Sequence, residues 1–123
     1  MFERELSKGE GRTRINLLAQ SFGGDLVVYI YNENAHIGAV AVGEYDHEEN
    51  RSSVSVMTRR GHKDDAVAQK AAYLISKHAK RPSCVIVGVH LDDITEAEIQ
   101  TFLSNADSLV KDFLKHREEA GSK

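Results

Sequence analysis

The chain has 123 residues, of which 41% are hydrophobic and 28% charged, and its formal net charge is −3. These values are typical of one globular domain; they exclude a disordered chain, and the slightly acidic balance argues against a nucleic-acid-binding face. No apolar run approaches the roughly 20 residues that span a bilayer, and a single cysteine, Cys84, fits a reducing cytoplasm.

The first half of the sequence predicts four strands. Residues 1–10 are expected to form a loose, flexible lead-in to residues 12–19, which partly alternate as an edge strand does. Residues 26–31 (LVVYIY) are rich in β-branched and aromatic residues, and residues 37–42 (IGAVAV) form a second apolar run. Residues 52–58 (SSVSVMT) alternate with period two, which is typical of a half-buried antiparallel strand.

The period of the apolar positions changes in the second half. Residues 64–79 carry them at helical spacing, and Pro82 follows where the helix must stop. Residues 84–91 (CVIVGVHL) are almost continuously apolar, which predicts a strand buried on both faces in the middle of the sheet.

A second helical region closes the sequence. Thr95 and Glu98 have the spacing of a capping box, and an apolar stripe continues over residues 99–114. Residues 104–107 (SNAD) offer new cap residues, which would divide the region into two helices. Residues 118–123 are expected to be flexible.

The element order β-β-β-β-α-β-α predicts a single domain over residues 1–123 with an α+β fold. We expect a two-layer sandwich, in which a mainly antiparallel sheet of about five strands carries two or three helices on one face. The other face would present small and apolar groups, such as those of residues 37–42, and a second copy would cover it. The sequence therefore predicts a homo-oligomer.

Residues 59–65 (RRGHKDD) stand at the predicted strand-to-helix junction. A helix start presents free N–H groups and a partial positive charge, which phosphates bind readily. Gly61 would allow close backbone approach, and His62 and Lys63 would add donors. Alternatively, the aspartates cap the helix and the cations belong to a solvated loop, which is the simpler interpretation of Arg59 and Arg60. The residues leave both interpretations open.

Three of the six histidines lie at the ends of predicted elements: His36 before a strand, His62 before a helix and His90 at the end of the central strand. Three imidazoles can form a metal site, but their wide separation makes no local motif, and backbone hydrogen bonding is the simpler role. Cys84 is expected to be inert within its strand. The residues therefore favour a binder of an anionic ligand over an enzyme, and whether a metal binds stays open.

The segments NAHIGAV (34–40), GHKDD (61–65) and CVIVGVHLDDITEAEIQ (84–100) occur in this order over much of the chain. In combination they resemble the LpdD-like prenylated-flavin chaperones, the accessory proteins of gallate-type UbiD decarboxylases. The resemblance covers roughly residues 24–117. One departure is Ala35, where the family pattern has proline before His-Ile-Gly.

The resemblance implies a non-enzymatic protein that binds reduced prenylated FMN (or FMN), made by a flavin prenyltransferase, and passes it to a UbiD-type (de)carboxylase. It implies cofactor-binding roles for His36, Gly38, Gly61, His62, Lys63, Asp64 and His90. Lys63 and the amides after Gly61 would hold the phosphate. His36 and His90 would face the ring or the phosphate, directly or through a cation. The alternative is a small metal- or acid/base-dependent enzyme that uses the cluster of His36, His62 and His90.

Overall fold

The strands of the chain form one sheet with two α-helices packed against it. A computed structural model describes residues 3–59 and 64–121. In this part of the chain the elements are β1 (Glu3–Lys8), a short 3-10 turn (Gly11–Thr13), β2 (Ile15–Phe22), β3 (Asp25–Tyr31), β4 (Ala39–Asp46), β5 (Arg51–Thr58), α1 (Asp65–Ala79), β6 (Ser83–Gly88) and α2 (Glu96–Gly121). The sheet order is β1-β2-β3-β6-β4-β5.

The sheet is mostly antiparallel, with one parallel pair among its described strands. β3 and β6 run in parallel, with Val28 opposite Val85, and both finish at the same end of the sheet. The other neighbours are antiparallel. The predicted α+β fold is therefore confirmed, with six strands where about five were expected.

Both helices cover the same face of the sheet. Alternate residues of the inner strands point toward them and are buried, including Leu17, Val28 and Val85. α1 lies so close to β4 that a Cβ on Gly43 would contact the backbone of Ala72. Phe113 of α2 is fully buried and completes the core.

The central position of β6 agrees with the sequence, but its expected burial on both faces was wrong. Val85 and Val87 are buried beneath the helices, whereas Cys84 and Ile86 point to the opposite face and are only half-buried. The reason is that both helices pack on one side of the sheet, so the other side stays uncovered in a single chain.

The start of the chain also differs from the prediction, because Glu3–Lys8 form strand β1 rather than a loose lead-in. Leu6 lies opposite Leu17 of β2 and packs against the core. Lys8 donates to the Asp112 carboxylate, with 2.8 Å between Nζ and Oδ2. These partners are remote in sequence, and together they make a charged segment into an edge strand.

The expected break at residues 104–107 is absent, and α2 is one helix from Glu96 to Gly121. Asn105 donates from Nδ2 to the Thr13 carbonyl at 3.2 Å. Asp107 forms ion pairs with Lys70 and Lys111 at 2.9 and 2.8 Å. The polar side chains that suggested a helix cap therefore bond to their neighbours, and the helix continues through them.

Candidate functional site

A cavity of about 650 Å³ lies between the sheet and the helices, at the end where β3 and β6 finish. Its volume is within the range of small-molecule and cofactor sites. The lining residues come from the sheet, from both helices and from three loops: Ile15, His36, Arg59, Asp64, Val67, Val87, Val89, His90, Leu91, Ile94, Ile99, Phe102, Leu103 and Ala106.

One end of the cavity is polar. His36 comes from the β3–β4 loop, Arg59 directly follows β5, Asp64 precedes α1, and His90 follows β6. The ring centroids of His36 and His90 are 5.4 Å apart. His90 Nε2 lies 3.1 Å from Asp92 Oδ1, so protonation of this imidazole would form an ion pair. Four polar groups that are scattered in sequence thus meet at one end of the sheet.

The rest of the cavity is apolar. Val67 of α1 and Phe102, Leu103 and Ala106 of α2 face it from the helical layer. Leu103 keeps 38% of its surface exposed, so an apolar ligand group would remove hydrophobic surface from water here. The cavity is therefore amphipathic, which suits a ligand with one polar end and one apolar body.

Asn32, which the sequence interpretation did not single out, holds His90 in place. Its Nδ2 donates to the His90 carbonyl at 2.7 Å, and its Oδ1 accepts from the His90 amide at 3.2 Å. The side chain is 5% exposed. One buried amide thus satisfies both backbone groups of His90 and joins the loop after β3 to the loop after β6.

Asn32→Ala is expected to destabilise the fold by about 1–3 kcal/mol, because two hydrogen bonds with net values of about 0.5–1.5 kcal/mol each are lost. Urea unfolding monitored by circular dichroism measures this change. Asn34→Ala is the matched control, since Asn34 is exposed in the same loop. Equal free energies of unfolding for the two variants would contradict the role given to Asn32.

Two glycines allow the loops to approach each other closely. A Cβ on Gly88 would overlap the backbone carbonyl of His36, and a Cβ on Gly38 would overlap the Asp64 carboxylate. Gly38 also donates its amide to the Val87 carbonyl at 2.9 Å. The absence of side chains at these two positions therefore permits the polar end of the cavity to form.

Asp64 occupies the N-cap position of α1, but its side chain makes no capping hydrogen bond. Its Oδ2 instead accepts from the Val89 amide at 3.4 Å. Asp64 is thus the N-cap residue, as one of the two open interpretations had it, but it does not cap the helix through its side chain. The carboxylate joins the start of α1 to the loop after β6, and it lines the cavity.

Arg59 lines the cavity as well and is also exposed to solvent, so the solvated role that the sequence favoured is compatible with its position. Its amide donates to the Gly38 carbonyl and its Nη1 donates to the Ile37 carbonyl, both at 2.8 Å. One guanidinium nitrogen thus supports the loop that carries His36. The position of Arg59 immediately after a predicted strand, at the start of the RRGHKDD loop, is the sequence signal that could have identified it.

The predicted capping box at the start of α2 is confirmed, and it lies between two residues that line the cavity, Ile94 and Ile99. The Glu98 amide donates to Thr95 Oγ1 at 3.1 Å, and the Thr95 amide donates to Glu98 Oε1 at 3.0 Å. Arg12 forms an ion pair with Glu98 at 2.8 Å and donates to the Asp92 carbonyl. The side-chain bond from Arg12, followed by the Thr95 amide, lowers the pKa of Glu98 to about 2.

Acidification should test this arrangement. Because the folded-state pKa of Glu98 lies below its usual value of 4.5, its stabilising contribution is complete above about pH 4.5 and is lost as the pH falls towards 2. Arg12→Gln should raise the pKa of Glu98, as measured by NMR titration of its carboxyl carbon. Arg14→Gln, two residues away, should leave that pKa unchanged. A wild-type Glu98 that titrates near 4.5 would contradict this account.

The structure thus brings His36, Asp64 and His90 to one cavity and places Gly38 beside it. Gly61, His62 and Lys63 lie outside the described residues. Within residues 3–59 and 64–121, no three histidine, cysteine, aspartate or glutamate side chains are grouped so that they could hold a metal ion.

Cys84 lies on the sheet face opposite the cavity, and burial raises the pKa of its thiol. It is therefore no candidate for an activated nucleophile at this site. Neither helix in the described part of the chain is long and apolar enough to cross a membrane.

The fold and the cavity define a small α+β protein with an amphipathic cavity at one end of its sheet. A family model, the prenylated flavin chaperone LpdD-like domain, matches residues 9–118, and the chain belongs to this family. It is accordingly an accessory protein that handles prenylated flavin and not an enzyme. The family therefore does not support the alternative of an enzyme that uses His36, His62 and His90. The resemblance drawn from the sequence segments is confirmed.

The fold is similar to that of a chain in a solved structure, the crystal structure of a novel chaperone complex for yeast 20S proteasome assembly. The identity is 15%, the TM-score is 0.60, and the match covers 97% of this chain and 98% of that chain. At this identity the similarity concerns the fold alone. A search of curated proteins found no match.

Proposed function

We propose that the protein binds reduced prenylated FMN in the cavity at the end of β3 and β6 and delivers it to a UbiD-type (de)carboxylase. The observation that carries this proposal is the division of the cavity of about 650 Å³ into a polar end with Arg59 and an apolar body. Prenylated FMN has the same division, since a phosphate ends one side of the molecule and a flat, largely apolar ring system ends the other.

The donors at the polar end fit a phosphate. Arg59 offers a planar guanidinium, which suits phosphate oxygens, and α1 begins nearby, so its first amides add partial positive charge. We assign Lys63 and the amides after Gly61 to the same phosphate, because they belong to the same loop in sequence. His62 would add a further donor.

The remaining residues would orient the ring system. His36 and His90 border the cavity and are exposed enough to reach a ligand. Gly38 and Asp64 would set the distance between the loops that carry them. Apolar side chains of α2, with Leu103 foremost, would cover the ring and its prenyl-derived part. The bound flavin would do no chemistry on this protein, because its reaction would take place in the partner enzyme.

Delivery requires that the ligand can leave. The polar end is bordered by exposed histidines and loops, so a partner enzyme can reach the ligand without unfolding the chaperone. We propose that the cofactor arrives from a flavin prenyltransferase in the cytoplasm. We also propose that the protein works as a homo-oligomer, because one face of its sheet is covered by neither helix.

A transfer experiment tests delivery. The protein is loaded anaerobically with reduced prenylated FMN, freed of excess cofactor, and mixed with an apo UbiD-type decarboxylase. Both the loaded protein and the same concentration of free cofactor are exposed briefly to oxygen before mixing. We expect decarboxylase activity to recover faster with the loaded protein than with the free cofactor. Bovine serum albumin treated in the same way is the control. Equal recovery with the chaperone and with free cofactor would contradict delivery.

A further inference from the structure

β5 is an edge strand of the sheet, and within the described residues no strand pairs with its outer side. It has eight residues (RSSVSVMT), and after Arg51 none of them is charged or is proline. Its register with β4 is continuous from Arg51 to Thr58, so no bulge interrupts the edge. Long, uncharged edges of this kind pair readily with another strand, and proteins usually protect them.

The opposite edge of the sheet, formed by β1, is protected. Its sequence (ERELSK) is rich in charge, which disfavours pairing with another strand. Its side chains are also held by α2: Lys8 forms an ion pair with Asp112 at 2.8 Å, and Arg4 Nη1 lies 3.1 Å from His116 Nδ1. The contrast between the two edges indicates that β5 is the edge at which a further strand can bind.

The hydrogen bonds between β5 and β4 determine which backbone groups of β5 face outward. The Arg59 amide donates to the Gly38 carbonyl at 2.8 Å, so this pair is bonded and the next pair, Thr58 with Ala39, is not. By the same alternation, the residues that direct their N–H and C=O groups away from β4 are Ser52, Val54, Val56 and Thr58. A row of donors and acceptors at every second residue is complementary to an extended peptide backbone.

A groove of about 420 Å³ lies between β5 and α1, beside this edge. It is lined by Ser52, Val54, Ala66, Gln69, Lys70 and Tyr73. Tyr73 keeps 37% of its surface exposed, so an apolar side chain placed against it would remove hydrophobic surface from water. Because successive side chains of a strand point to opposite faces, every second side chain of an added strand would enter this groove.

We propose that an extended segment of the decarboxylase that receives the cofactor binds to the outer edge of β5 as an additional strand of the sheet. This assigns a docking surface to the proposed delivery and therefore rests on the proposed function. Main-chain hydrogen bonds to β5 would supply affinity, and side chains in the groove would supply specificity. The segment would carry apolar residues at alternate positions, facing Val54 and Tyr73.

The position of β5 relative to the cavity favours the receiving enzyme as the occupant. β5 finishes at Thr58, and the next residue, Arg59, lines the polar end of the cavity. A segment bound along β5 would therefore bring its enzyme to the end of the chaperone where the cofactor is proposed to bind. The groove and the cavity share no lining residue, so the segment can bind while the cavity is occupied.

Val54→Pro tests the edge directly, because it removes an outward N–H group that β4 does not use, and edge strands tolerate proline at such positions. Binding to an apo UbiD-type decarboxylase, measured by biolayer interferometry without flavin, should weaken about 10-fold, since one carbonyl of the added strand loses its donor. Val54→Ala keeps the N–H group and is the matched control, which should bind within about threefold of the wild type. Equal affinities of the two variants would overturn the proposal.

Amide hydrogen exchange of the wild-type chain gives a second measurement that does not depend on the folding of a variant. The decarboxylase should slow exchange at Val54, Val56 and Thr58 several-fold and leave Ser53 and Ser55 unchanged, because these two amides already face β4. No binding, or slowing without this alternation, would overturn the proposal.

Two further results separate this proposal from its alternatives. Slower exchange at the same amides in the chaperone alone, as its concentration rises, would show that a second copy occupies the edge and would also overturn the proposal. Val54→Pro should bind reduced prenylated FMN as tightly as the wild type does, because Val54 does not line the cavity. Docking of the enzyme and binding of the cofactor can therefore fail separately.

Discussion

Arg59→Ala is expected to weaken binding of reduced prenylated FMN by about 10- to 100-fold. A hydrogen bond between charged groups contributes about 1.5–3 kcal/mol, and each 1.4 kcal/mol corresponds to a factor of ten in affinity. The guanidinium borders the polar end of the cavity, and its Nη1 donates to the Ile37 carbonyl in the loop that carries His36. The substitution would therefore remove the proposed phosphate partner and one support of this loop.

Two further variants separate these effects. Arg59→Lys keeps the charge but not the planar fork, so it should recover only part of the affinity. Arg51→Ala removes an exposed arginine at the start of β5 that does not line the cavity, and it should bind as the wild type does. Anaerobic absorbance titration measures all three variants. Wild-type affinity in Arg59→Ala would remove this residue from the site.

Gly88→Ala is expected to destabilise the fold by about 1–3 kcal/mol, the usual range for extra atoms in a packed region. The added methyl would overlap the backbone of His36, so that the β3–β4 loop must move away from the end of β6. Since His36 and His90 border the cavity from these two segments, cofactor affinity should fall as well.

The same substitution at Gly24 is the matched control. No atom lies within 4 Å of the position that a Cβ would take there. Gly24→Ala should therefore leave stability almost unchanged, or raise it slightly by restricting the unfolded chain. Chemical unfolding of both variants provides the comparison, and a Gly88→Ala variant as stable as Gly24→Ala would show that the close approach is unimportant.

The elements with strong local patterns were predictable from the sequence. The apolar run of β6 indicated a central strand, the spacing over residues 64–79 indicated α1, and Thr95 with Glu98 indicated the start of α2. These signals depend on neighbours within a few residues, so a single sequence contains them.

The elements that depend on remote partners were not predictable in this way. The sequence of β1 predicts a charged, loose segment. In the structure it pairs with β2, and Lys8 forms an ion pair with Asp112, which lies far away in the chain. Asn105 suggested a helix cap from its residue type alone. In the structure its side chain instead bonds to the Thr13 carbonyl, a partner remote in sequence, and α2 continues unbroken. Local propensity yields to tertiary contacts at both places.

For the candidate site, the sequence indicated two histidines that line the cavity but not how the loops around it are organised. His36 and His90 were selected because they end predicted elements, and both line the cavity. Asn32 and Arg59 were not selected, because their importance lies in hydrogen bonds to loops that come together only in the folded sheet. Which side of β6 faced the helices was also beyond the sequence, since nearly all its side chains are apolar.

Binding of the cofactor in the cavity is the central claim, and amide chemical-shift mapping under anaerobic conditions tests it most directly. Reduced prenylated FMN is titrated into the isotope-labelled protein. We predict saturable changes at one ligand per chain, concentrated at His36, Arg59, His90 and Leu103, with small changes on the opposite sheet face at Val42 and Met57. No saturable change, or changes centred on that opposite face, would contradict the account.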